Sequence, residues 1–102
     1  MPHLTVTLQE PDAARPHGFR ERRWKLIRQR LPQNGSEQNW GACCRDSRQL
    51  VAHSGLEGEE LISTYWHEAI HAVAPDLDES AVLRIEHAIL QVSLRLGLFE
   101  ED

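Results

Sequence analysis

An α+β fold, with a small β-hairpin or sheet followed by two antiparallel helices, is predicted by three features of the sequence. Two short runs of strand-like residues, Trp40 to Arg45 and Gln49 to His53, are joined by a tight polar turn at Asp46-Ser47. Apolar residues then recur every 3.6 positions from about Glu59 to Ala74, and again from about Glu79 to Leu96. The few residues between these stretches force the two helices to lie side by side and antiparallel. At 102 residues the chain has room for one domain with a thin core, which a bound metal would help to hold.

Taken in order, residues 1–18 contain a β-like run from Leu4 to Leu8, then Pro11, Pro16 and Gly18, and read as a loose N-terminal arm. Residues 19–102 form the domain proper. The segment FRERRWKLIRQRL, residues 19–31, is compatible with either periodicity. Trp24, Ile27 and Leu31 suit a helix, whereas alternation with long basic side chains suits a strand. Pro32 ends it, and QNGSEQN is a turn or loop. After the hairpin, Gly55 and Gly58 mark the exit, and Glu57, Glu59 and Glu60 place negative charge at a helix N-terminus. Pro75 stops the first helix. Asp76 or Asp78 can cap the second, which Gly97 closes.

Composition excludes some classes. No apolar run approaches a membrane span, and the opening MPHLTVTLQE lacks a basic stretch leading into an apolar one, so a cytoplasmic protein is expected. The net charge of −5 is unevenly spread. Residues 1–31 carry seven Lys/Arg against three acids, so the rest of the chain holds nine net negative charges. Such a basic segment can touch nucleic acid or simply lie on the acidic body. Cys43 and Cys44 are adjacent and point to opposite faces of a strand, so they are expected as reduced, partly buried thiols.

The chemistry lies in His67-Glu68-Ala69-Ile70-His71, an H-E-x-x-H sequence inside the first helix. Residues four apart stack on one helix face, so both imidazoles can reach one cation. Zinc accepts imidazole nitrogen and in catalytic sites keeps a position for water. Glu68, beside the first ligand, can take a proton from that water, whose pKa the metal lowers. A third ligand is needed. On the second helix Ser80, Arg84, His87, Gln91 and Arg95 form a polar stripe, whereas Glu79 and Glu86 fall within the apolar face, where a carboxylate needs a partner or a metal. In an antiparallel pair folded near Asp76, Glu79 lies opposite the turn containing His71. It is the preferred third ligand, with Glu86 as the alternative.

HEAIH on a helix preceded by a short hairpin resembles the zincin metallopeptidases. The stretch from Trp40 to Leu96 further resembles very small phage and bacterial zincin-like domains, loosely related to SprT-like proteases. The resemblance implies a minimal zincin-like fold, His67 and His71 as imidazole ligands, Glu68 as base and Glu79 as the third ligand. The metzincin branch is excluded, because Ala74 and Leu77 stand where it requires glycine and histidine. Leu83 stands where gluzincins usually place an Asp or Asn that orients the ligands. No residue stands out to stabilise an oxyanion; Tyr65 and His53 are the candidates.

A zinc-dependent metallopeptidase is therefore expected. It would act on a peptide or protein substrate, held as an extended segment along Trp40–Arg45 or Gln49–His53. Two alternatives differ in class. One is a zinc-stabilised interaction module without turnover. The other is a DNA-associated protease that uses residues 19–31.

Overall fold

The computed structural model describes residues 4–12, 14–15, 17–33 and 39–98. Four strands and two helices follow one another along the chain. They are β1 (Leu4–Pro11), β2 (Phe19–Gln29), β3 (Gly41–Cys44), β4 (Gln49–His53), α1 (Gly58–Val73) and α2 (Glu79–Arg95). The strands form one mixed sheet in the order β1-β2-β4-β3. β1 runs antiparallel to β2, β4 parallel to β2, and β3 antiparallel to β4.

Residues 4–11 are thus an edge strand, not part of a loose arm. Their alternation explains this. Val6 and Leu8 stand on the face that meets α1, beside a buried Glu10, while Thr5, Thr7 and Gln9 point to solvent. Glu10 is buried because it is matched: one carboxylate oxygen accepts the Trp24 indole N–H at 2.8 Å and Arg48 Nε at 2.9 Å. The ambiguous segment 19–31 is a strand over residues 19–29. Its local pattern fitted either structure, and its two neighbours in the sheet decide the matter, with Leu4–Pro11 on one side and Gln49–His53 on the other. The expected loop from Gln33 to Asn39 lies mostly outside the described residues.

Successive β2 side chains point to opposite faces, and each face feeds its own cluster. Trp24 is fully buried between the sheet and α1 with Leu50 and Ala72, flanked by Leu26, Tyr65 and Ala69. Ile27, Leu31 and Val51 pack on the opposite face with Ala42 and Cys44. Emptying a site like that of Trp24 costs about 3–5 kcal/mol, a large part of the stability of a small domain. The alternation also divides the basic residues. Arg20, Arg22 and Arg28 share one face of β2, and Arg23 and Lys25 the other, so no single charged surface results.

Side chains tie the helices down. The Tyr65 hydroxyl donates to the Ile27 carbonyl at 2.7 Å. Arg28 donates to the carbonyls of Ser54 and Leu56, fixing the link from β4 into α1. Arg45, in the β3–β4 turn, donates to the carbonyls of His71 and Ala72 at the C-terminal end of α1, which lack helical partners. Asp78 caps α2 by accepting from the Ala81 N–H at 2.8 Å. Gly97, at φ 73°, ends α2: its N–H reaches Leu94 O and the Leu98 N–H reaches Ser93 O, the paired bonds of a Schellman turn. Among the described residues no helix is long and apolar enough to cross a membrane.

Candidate metal centre

Helix α1 rests on the sheet with Glu68 and Ala72 buried, which turns His67 and His71 towards α2. The two residues are one helical turn apart, and their Nε2 atoms stand 3.2 Å from each other. Glu79, the first residue of α2, meets both rings. Its Oε1 is 2.7 Å from His67 Nε2 and its Oε2 is 3.1 Å from His71 Nε2. The three predicted ligand residues therefore converge, with one ligand atom from each lying within 4.8 Å of the others.

Glu86 does not join them. It lies on the far side of the His67 ring, with Oε2 2.8 Å from Nδ1. Two helical turns beyond Glu79 it has passed the ligand pair, so it can reach only the outer nitrogen. Glu86 is thus a carboxylate hydrogen-bonded to the His67 imidazole, the kind of partner that the sequence pattern sought at Leu83. Its signal in the sequence is an acid on the apolar face, a pattern that does not distinguish a ligand from a partner of the imidazole.

The hydrogen-bond pattern bears on what the centre can hold. With its Nδ1 hydrogen directed at Glu86, His67 presents a lone pair at Nε2. That lone pair faces a carboxylate oxygen at 2.7 Å and a second imidazole nitrogen at 3.2 Å. A neutral His67 ring can donate to only one of the two carboxylates that face its nitrogens, so a cation or an added proton is needed at the other. Tetrahedral zinc with ligands at about 2.0–2.1 Å separates them by about 3.3–3.4 Å, so side-chain shifts of up to about 0.6 Å would admit it. The donor set fits zinc. Burial opposes a charged His67 ring, but the Glu86 hydrogen bond and the charges of Glu68, Glu79 and Glu86 outweigh it and raise the imidazole pKa.

Glu68, next to His67 in the chain, lies between the helix and strand β3 and is only 8% exposed. The space it occupies depends on Gly41, at the start of edge strand β3. A Cβ at that position would stand 2.9 Å from Glu68 Oε2 and 2.7 Å from Thr64 Cγ2. Burial raises the pKa of the Glu68 carboxyl. The charges of His67 and His71 oppose this rise, and those of Glu79 and Glu86 add to it. A carboxylate made more basic in this way is better suited to take up a proton near neutral pH. Gly41 carried no signal in the sequence, since its reason is a contact across 27 residues.

The oxyanion candidates are otherwise engaged. The Tyr65 hydroxyl hydrogen is committed to Ile27 O. His53, the last residue of β4, accepts the Gly55 N–H at Nδ1 and packs edge-on against Trp40 at 5.6 Å. His87 lies exposed on α2. Cys43 and Cys44 are half-buried free thiols, and the buried surroundings of Cys43 raise its pKa. Beside Gly41, a hollow of about 250 Å³ lined by Trp40, Leu56, Glu60, Ser63 and Thr64 opens between β3 and α1. Compared with protein-family models, curated proteins and solved structures, the chain matches none.

Proposed function

We propose that this chain is a zinc-dependent metallopeptidase domain. The observation that carries the reading is the convergence of His67 Nε2, His71 Nε2 and the Glu79 carboxylate, with Glu68 held by the same helix against an edge strand. Zinc bound by His67, His71 and Glu79 would supply a Lewis acid for a carbonyl oxygen and acidify a water molecule.

The residues of the chain do the rest. Glu68 accepts the proton of the attacking water and returns it to the departing amine. Glu86 keeps the His67 ring oriented with its lone pair inward. The edge of β3, unpaired among the described residues, offers backbone N–H and C=O groups to an extended peptide, and Gly41 places that edge against Glu68. Of the two strands considered for this role, β4 is interior, bonded to β2 and β3, which leaves β3. The hollow at Trp40 and Glu60 lies along the same edge and would receive a substrate side chain.

The test compares wild type with Glu68→Gln and His67→Ala. Metal content is measured by elemental analysis, and cleavage on a library of denatured proteins. The expected result is one zinc per chain in wild type and in Glu68→Gln, cleavage by wild type only, and loss of both in His67→Ala. If wild type binds zinc and cleaves nothing, the reading is wrong and a zinc-stabilised module replaces it; if Glu68→Gln cleaves as well as wild type, Glu68 is not the base and the reading is likewise wrong.

A further inference from the structure

We propose that α2 carries a self-association surface through which two copies of the chain pair, helix against helix, antiparallel across a two-fold axis. Among the described residues, seven of the ten exposed large apolar side chains lie on α2 and the turn after it. Four of them, Ile85, Ile89, Val92 and Leu96, are spaced 4, 3 and 4 residues apart. This is the 3.5-residue repeat of a helix–helix seam, and it flanks the side that α1 covers through Val82 and Ser93. Ile85 and Ile89 are each 38% exposed, Val92 60% and Leu96 70%.

Area and shape select a second copy as the occupant. The four side chains leave roughly 400 Å² of apolar surface open, against the roughly 450 Å² that an interface of about 800 Å² per partner needs when slightly over half of it is apolar. With the axis between Ala88 and Ile89, Ile85 meets Val92 of the second copy, Ile89 meets Ala88, and Leu96 meets Ala81. Each large residue then faces a smaller one or a hole of its own width. The same seam serves both copies, as a two-fold interface requires. A lipid surface is disfavoured, because a chain of net charge −5 is repelled by anionic headgroups.

Pairing would bear on the metal centre, since α2 supplies both Glu79 and Glu86 and, of the elements already described, packs against α1. The surface itself does not depend on the peptidase reading.

The experiment is sedimentation velocity on the full chain with zinc, from 1 to about 300 µM. Wild type should move with concentration from the 11.7 kDa monomer to twice that mass. Val92→Glu and, separately, Leu96→Glu should weaken dimerisation at least about tenfold, because a charge would be buried at the seam. Gln91→Glu, on the exposed polar stripe, should leave it unchanged. Far-UV circular dichroism and zinc stoichiometry show that the variants keep their fold. A wild type that stays monomeric throughout, a dimer that survives both seam variants, an assembly larger than two, or flotation of monomer with anionic vesicles would each overturn the proposal.

Discussion

His67 and Glu86 are joined through the imidazole nitrogen that faces away from Glu79, at 2.8 Å from Nδ1 to Oε2. The contact fixes the tautomer and the ring plane, so its worth shows in metal affinity rather than in folding. Glu86→Gln is expected to weaken zinc binding about 10- to 100-fold while leaving a folded protein. Glu79→Ala, which removes a carboxylate from among the converging acceptors, should weaken it further. Competition against a chromophoric chelator measures both.

Gly41 and Glu68 form the second such relationship. Gly41→Ala introduces a methyl group at 2.9 Å from the Glu68 carboxylate and 2.7 Å from Thr64. Neither distance is tolerated, and the backbone of Val51 at 3.1 Å closes a third side. The carboxylate must move away from the strand. The expected outcome is full zinc occupancy with turnover reduced at least tenfold, about 1.4 kcal/mol in the barrier. Unchanged kinetics on a fluorogenic peptide would remove Gly41 from the site.

Metal should also be part of the stability of so small a domain. The cation would join α1 to the first turn of α2, and at a free zinc concentration about 100 times Kd it would add about 2.7 kcal/mol. For a chain of this length that corresponds to a rise in Tm on the order of 10–20 °C. Differential scanning calorimetry with and without a chelator tests this.

Glu10 predicts an acid limit. Burial alone would raise its pKa, but the hydrogen bonds from Arg48 and Trp24 and the charges of Arg48 and Arg45 hold it below the usual carboxylate value. The folded protein therefore releases this proton more readily than the unfolded chain. Its stabilising contribution is complete above the unfolded pKa of about 4.3 and disappears as pH falls through the lower folded value. In chelated protein, urea titrations from pH 7 to pH 3 should show stability falling in that window. Glu10→Gln should flatten the fall.

How much of this was legible in the sequence depended on the range of the interaction that decides it. The two helices and the β3–β4 hairpin follow from periodicity and from Pro75, Asp78 and Gly97, all local signals. His67, Glu68 and His71 were readable because a helix turns their spacing into proximity, and Glu79 because a short connection leaves few ways to fold back. The β-like run from Leu4 to Leu8 was legible, but its place in the sheet as part of residues 4–11 was not, because that comes from pairing with β2 and from Glu10 meeting Arg48, 38 residues away. Glu86 was noticed, but the turn count alone did not show on which side of the His67 ring it would land. Gly41 was invisible for the same reason as Arg45: each acts on α1 from a distant part of the chain.

The sheet order carries a consequence for assembly. β4, the last strand in the chain, takes an interior place, so β3 has no neighbour and the β1–β2 ribbon no continuation until residues 49–53 arrive. Completion of the sheet is a late, wedge-like event across distant segments, which slows folding relative to a succession of hairpins. The same event delivers α1, because Arg28 of β2 grips the short link leaving β4. The histidine-bearing helix thus takes its bearing from the keystone of the sheet, and β4 amides should be the slowest in the protein to exchange with deuterated solvent.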